Sequence, residues 1–158
     1  ITIGGASVGD YDLIKTVLVG EGLDIGFSKV AMRPGKPLIF GKINNTPMLG
    51  LPGNPVSAGV TATLFLVPTI NKMLGLSNTF YKTETAVLGC DIEKNDERQD
   101  YLRARLENTG MKEVIVTPFD RQDSSMLANY ADADCLIVRK PFAASLSRGK
   151  KVKIIRLD

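Results

Sequence analysis

The chain opens on an unbroken β-branched run, Ile1-Thr2-Ile3, and breaks at Gly4 and Gly5. Such a run fits a strand buried on both faces of a parallel sheet. Tyr11, Leu13, Ile14, Val17 and Leu18 then recur at helical spacing, with Gly20 and Gly22 behind them. Asp10 or Ser7 can cap that helix and the glycines can close it. Alternation from Asp24 to Met32 predicts a strand. Leu38-Ile39-Phe40 and Met48-Leu49-Gly50-Leu51 predict two more, joined by a polar connection from Gly41 to Thr46. The apolar run from Val56 to Leu74, ended by Gly75, predicts a long helix that Pro68 should kink or break near Leu66.

From Ser77 the period changes. Short alternating runs follow at Thr85 to Ile92, Tyr101 to Leu106, Glu113 to Pro118, Cys135 to Arg139 and Val152 to Leu157. Regular short strands predict a sandwich or barrel. Asp123 or Ser124 caps the one helix expected in this half, and Ala143 to Lys151 reads as a structural turn. In Tyr101-Leu102-Arg103-Ala104-Arg105-Leu106, period two sends Leu102, Ala104 and Leu106 to one face and Tyr101, Arg103 and Arg105 to a solvated one. The fold class is α/β plus β: a truncated parallel α/β domain, residues 1–78, then a small β-barrel-like C-terminal domain, residues 79–158. The boundary falls between Asn78 and Lys82.

Composition narrows the chemistry. A net charge of +3, spread along the chain, favours neither nucleic acid nor membrane. No stretch is apolar enough to span a bilayer, because Pro68, Asn71 and Lys72 interrupt the one candidate. Cys90 and Cys135 are far apart in apolar contexts and read as reduced thiols of a cytoplasmic protein. The chain has 0 histidines, so it cannot supply Ser-His-Asp or Cys-His catalysis. Its chemistry must rest on carboxylates, Lys, Arg and backbone amides, with or without a divalent ion held by oxygen. Starting within a strand and without Met, the chain is expected to be a fragment.

Two Pro-Gly corners carry the candidate site. In Gly50-Leu51-Pro52-Gly53-Asn54-Pro55-Val56-Ser57, Asn54 suits an N-cap and Pro55 the first helical position. Free N–H groups of Gly53, Val56 and Ser57 would then meet an anion at the helix N-terminus. In Met32-Arg33-Pro34-Gly35-Lys36-Pro37, two cations sit on a backbone stiffened by proline. Either corner alone is also an ordinary strand-to-helix turn. Joined to Gly4-Gly5-Ala6-Ser7-Val8-Gly9-Asp10-Tyr11-Asp12, they point to phosphate or oxyanion binding, and Asp10 and Asp12 could hold Mg2+ against it.

These three motifs stand in the order and approximate spacing of the molybdopterin molybdotransferases, the MoeA and gephyrin E-domain family, which the chain resembles over its whole length. The trailing Tyr-Leu-Arg-Ala-Arg-Leu strand and Ser-Ser-Met-Leu turn resemble that family's C-terminal domain. The resemblance implies molybdenum cofactor biosynthesis by a Mg2+-dependent transferase: molybdate enters adenylylated molybdopterin and AMP leaves. It implies adenylate and Mg2+ handling at Asp12, to which the reading of the residues adds Asp10 as a second metal ligand. Gly5, Ser7 and Gly9 fall in the glycine loop, and Lys29, Arg33, Lys36 and Pro37 at the basic turn. Gly53, Asn54 and Ser57 fall in a pterin-phosphate loop, and Arg103 with Ser124 or Ser125 at molybdate. It further implies a cytoplasmic homodimer in the full-length protein, a molybdopterin adenylyltransferase as partner, and a fragment inactive alone. Two other functions are alternatives: a MogA-like adenylyltransferase, which shares the Gly-Gly loop but lacks a β domain after residue 80, and a non-catalytic scaffold whose β domain grips a partner peptide.

Overall fold

The computed structural model describes residues 1–4, 13–77, 79–107 and 113–157, the side chains of 13–15 excepted. The chain divides into two units, Ile1–Thr79 and Phe80–Asp158. In the first, strands β1 (Thr2–Ile3), β2 (Leu23–Phe27), β4 (Ile39–Ile43) and β5 (Thr46–Leu51) form a sheet in the order β1-β5-β4-β2. β1 runs parallel to β5, whereas β5, β4 and β2 are antiparallel. Helix α1 (Leu13–Gly20) precedes β2, the two-residue strand β3 (Met32–Arg33) follows it, and α2 (Pro55–Thr61) follows β5.

Side-chain alternation explains the layers. Ile39 and Met48 point with Leu23 to the face that Leu18 of α1 covers. Leu38, Leu49 and Leu51 point to the opposite face, beneath Ala58, Ala62 and Phe65. Several local expectations shift. Ile3 is 69% exposed rather than buried on both faces, because β1 is hydrogen-bonded on one side only, to β5. The strand expected from Asp24 to Met32 ends at Phe27, after a register break between Ile25 and Phe27. The polar stretch Gly41 to Thr46 is mostly strand, and the loop shrinks to Asn44-Asn45 with Asn44 at φ 52°. Two-residue hairpin loops demand such left-handed residues, and Asn tolerates them.

Near Pro68 the helix changes form and does not break. Between α2 and α3 (Val67–Met73), residues Ala62–Leu66 widen into a π-helical turn. Proline lacks an N–H and its ring crowds the carbonyl four residues back, so the wider turn absorbs the mismatch without breaking the helix. Among the described residues no helix is long and apolar enough to cross a membrane.

The second unit is a five-stranded barrel. β6 (Glu84–Leu88), β7 (Gln99–Glu107), β8 (Ile115–Pro118), β9 (Cys135–Arg139) and β10 (Lys151–Arg156) close in the ring β7-β8-β6-β10-β9, with β9 returning to β7. β6 and β8 are parallel and the other pairs antiparallel. The interior is filled by Ala86, Leu88, Ala104, Val116, Cys135, Ile137, Val152 and Ile154, with Leu102 and Leu106 packed on them. The inward face read from Leu102, Ala104 and Leu106 is therefore the barrel core. The first run ends at Leu88, and Ile92 instead bridges Leu146.

Burial, helped by Asp134, pushes the Cys135 thiol from near 9.0 up to about 12. Between those values the folded state keeps a proton that the unfolded chain has released, so stability falls as pH rises. At pH 10.5 this group alone should cost about 2 kcal/mol. Urea unfolding at pH 8 and pH 10.5 measures the loss. Cys135→Ala should flatten that dependence by the same amount whatever it does to stability at pH 8.

Candidate functional site

Parallel pairing of β1 with β5 sets Thr2 opposite Gly50 and Ile3 opposite Leu51, so both strands end at the same edge. Gly4 N–H then donates to the Leu51 carbonyl at 3.0 Å. The corners that follow are in backbone contact: a Cβ built on Gly53 would stand 3.2 Å from Gly4 Cα, and Gly4 itself has φ +87°. A side chain at Gly53 would push against Gly4 by a few tenths of an ångström, and one at Gly4 would be strained by its positive φ. Two of the three sequence motifs are thus joined through glycine.

The helix N-terminus differs from expectation. Asn54 is the N-cap, but its Oδ1 accepts from Val56 N–H at 3.1 Å and from Ser57 N–H at 3.3 Å. Those two donors are not free for an anion, because the cap side chain already fills their place. Ser57 is buried, and its carbonyl accepts the Thr61 hydroxyl at 2.7 Å. Gly53 remains exposed.

The basic turn rests on the same helix, further along. Val30 N–H donates to the Lys36 carbonyl at 2.9 Å, closing the turn. Pro34 and Gly35 are buried, Pro37 is half-buried, and Lys29, Arg33 and Lys36 are exposed. Gly35, at φ +110°, lies against Thr61, whose Cγ2 a Cβ would meet at 2.5 Å. At 1.5 Å per residue, Thr61 is about 10 Å along the helix from Asn54. The turn at Gly35 therefore packs on the helix flank, about 10 Å from its capped end.

In the second unit Arg103 overturns its expected place on a solvated face. It is 1% exposed, while Arg105 is exposed, bonds Asp132 at 2.9 Å and lies over the Phe119 ring. The outer face of β7 at Arg103 is covered by the segment after β8. Arg103 N–H donates to Gln122 Oε1 at 2.9 Å, Gln122 Nε2 donates back to the Arg103 carbonyl at 3.0 Å, and Arg103 Nη2 donates to the Asp123 carbonyl at 3.1 Å. Arg103 Nε is buried with no hydrogen-bond partner among the described residues. Burial lowers the Arg103 pKa and the Asp123 charge opposes that fall.

Asp123 does not cap a helix. Its Oδ1 accepts from Ser125 N–H at 2.7 Å, which holds its carboxyl below the usual carboxylate range, and α4 (Leu127–Ala131) begins only after Met126 without a side-chain cap. The result is a tight polar turn with Ser124 half-buried and Ser125 exposed. Gln122, which anchors it, carries no periodic or motif signal in the sequence. Gly5, Ser7, Gly9, Asp10 and Asp12 lie outside the described residues. Among the described residues no three acids, cysteines or histidines cluster as metal ligands would.

Comparison with known proteins accounts for both halves. Residues 1–72 match the family described as "Probable molybdopterin binding domain", and residues 85–157 match "MoeA C-terminal region (domain IV)". The chain is similar to a molybdopterin molybdenumtransferase of Haemophilus influenzae, 34% identical over 98% of this chain and 38% of the relative. It is likewise similar to one of Bacillus subtilis, 32% identical over 98% of this chain and 36% of the relative. Among solved structures, a molybdopterin biosynthesis MoeA protein from Pyrococcus horikoshii superposes with TM-score 0.77 at 25% identity, covering 99% of this chain and 37% of that one. The chain thus spans little more than a third of the length of these relatives.

Proposed function

Because the chain belongs to the MoeA family, with a molybdopterin-binding domain followed directly by a MoeA C-terminal region, we propose that the protein it comes from is a molybdopterin molybdenumtransferase of molybdenum cofactor biosynthesis. The observation that carries this reading is Arg103: a buried guanidinium whose Nε has no partner among the described residues, tied to the Asp123 carbonyl beside two serines. At 1% exposure the guanidinium is closed to solvent, so its positive charge would act from behind the turn on a tetrahedral oxyanion such as molybdate. Ser124 and Ser125 would add hydroxyl donors.

In the first unit Lys29, Arg33 and Lys36 would neutralise the phosphate and molybdate charge, with Pro37 shaping the turn. The exposed corner at Gly53, together with Gly5, Ser7 and Gly9, would seat the pterin phosphate, with the buried Ser57 behind it in the first helical turn. Here the role of Asn54 is to fix the helix start that positions the corner. Asp10 and Asp12 carry the hard oxygen donors that Mg2+ prefers and would hold it, and bound there it would neutralise charge on the adenylate phosphates. With adenylylated molybdopterin as second substrate, AMP is the leaving product. Homodimerisation, a molybdopterin adenylyltransferase as supplier, and a cytoplasmic setting belong to this reading.

Calorimetric titration of the full-length protein with molybdate tests it. Arg33→Ala and the pair Ser124→Ala/Ser125→Ala should each weaken binding roughly tenfold to a hundredfold, the worth of a charge-assisted contact. Unchanged affinity in both removes these residues from the site.

A further inference from the structure

We propose that Gln122 is a positioning residue that sets the serine turn against the Arg103 guanidinium. The inference rests on the reading of that turn as an oxyanion contact. The Gln122 carboxamide pairs with both backbone groups of Arg103, accepting at 2.9 Å and donating at 3.0 Å, the pattern by which one strand residue pairs with another across an antiparallel ladder. Its Nε2 also donates to the Phe119 carbonyl at 2.8 Å, while Phe119 N–H donates to the Arg103 carbonyl at 3.0 Å. A side chain here replaces the strand that β8 stops supplying at Pro118.

The next residue repeats the arrangement. The Asp123 carbonyl takes the Arg103 guanidinium at 3.1 Å, and its carboxylate takes Ser125 N–H at 2.7 Å. Residue 122 is therefore fixed to the main chain of Arg103 and residue 123 to its side chain. Both fixings start from one buried residue, so the serines that follow have a defined place relative to the guanidinium. A small tetrahedral anion needs donors held to within a fraction of an ångström, which a surface turn closed only by its own Asx bond would not provide.

The test is steady-state kinetics on the full-length protein, varying molybdate and adenylylated molybdopterin separately. Gln122→Met removes both polar ends at similar volume, and Gln122→Glu keeps the acceptor for Arg103 N–H but loses the donor to the two carbonyls. Both should raise KM for molybdate about tenfold, as expected for a misplaced hydrogen-bonding turn. KM for the pterin substrate and kcat at saturating molybdate should stay within about twofold. A purely structural role would lower the active fraction, and so kcat, without separating the two KM values. Ser124→Ala/Ser125→Ala is run in parallel. If the serine pair raises the molybdate KM and neither Gln122 variant does, this inference is overturned alone. If the serine pair changes nothing, the oxyanion reading of the turn fails and this inference with it.

Discussion

Gly35→Ala should destabilise the first unit by about 3–4 kcal/mol, a large part of a domain's total stability. Two separate costs combine. At φ +110° an alanine sits in a backbone region that L side chains avoid, worth about 1–2 kcal/mol. Its Cβ would also stand 2.5 Å from Thr61 Cγ2, with Met32 Cε at 3.2 Å. The methionine can swing away, but Thr61 cannot. It is fully buried, and its hydroxyl is tied to the Ser57 carbonyl at 2.7 Å and the Ala58 carbonyl at 3.1 Å. Thr61→Ser keeps both bonds and deletes the clashing methyl. Alone it should cost about 1 kcal/mol for a small cavity. In the Gly35→Ala background it should instead restore about 1–2 kcal/mol, an inversion of sign that marks direct coupling. Urea midpoints for the four proteins decide the matter, and a Gly35→Ala midpoint equal to wild type would refute the packing of the basic turn on this helix.

The same turn shows what could be read from the letters. Its proline-glycine corner and its cations were visible, since proline, glycine and charge act locally. That Gly35 abuts Thr61 was not, because the contact joins positions far apart in the chain. Four of the five barrel strands are legible within about two residues because period two survives whatever its neighbours are, whereas the first run overshoots its strand, which ends at Leu88. Arg103 was misplaced for the complementary reason. Alternation assigns a side, but whether that side meets water depends on the segment Phe119 to Ser125, which folds back over β7. At Asn54 the cap was recognised and its consequence was not: a side chain good enough to start the helix also consumes the donors an anion would use.

Arg139→Met should cost the barrel about 3–5 kcal/mol, the range for removing one member of a buried charged network. Arg139 is 5% exposed on β9, opposite the equally buried Asp100 of β7. Its Nη2 donates to the Glu93 carbonyl at 3.2 Å and to the Ala144 carbonyl, joining two loops that are distant in sequence. Burial lowers the Arg139 pKa and the Asp100 charge counters it, so the pair is electrostatically linked. Methionine matches the length of the arginine stem but leaves those carbonyls without that donor and Asp100 without that cation's field. Adding Asp100→Asn removes the second problem and not the first. The double variant should therefore be more stable than Arg139→Met by about 1–2 kcal/mol, although Asp100→Asn alone destabilises. The loop that Arg139 grips also holds Phe142 at φ 56°, with its N–H on the Asp96 carbonyl at 2.7 Å. Amide exchange at Phe142 and Ala143 should rise in Arg139→Met before the barrel strands respond, because the strained turn loses its fixing point first. Exchange that instead rose uniformly across β7 and β9 would show that Arg139 serves the strands and not the loop.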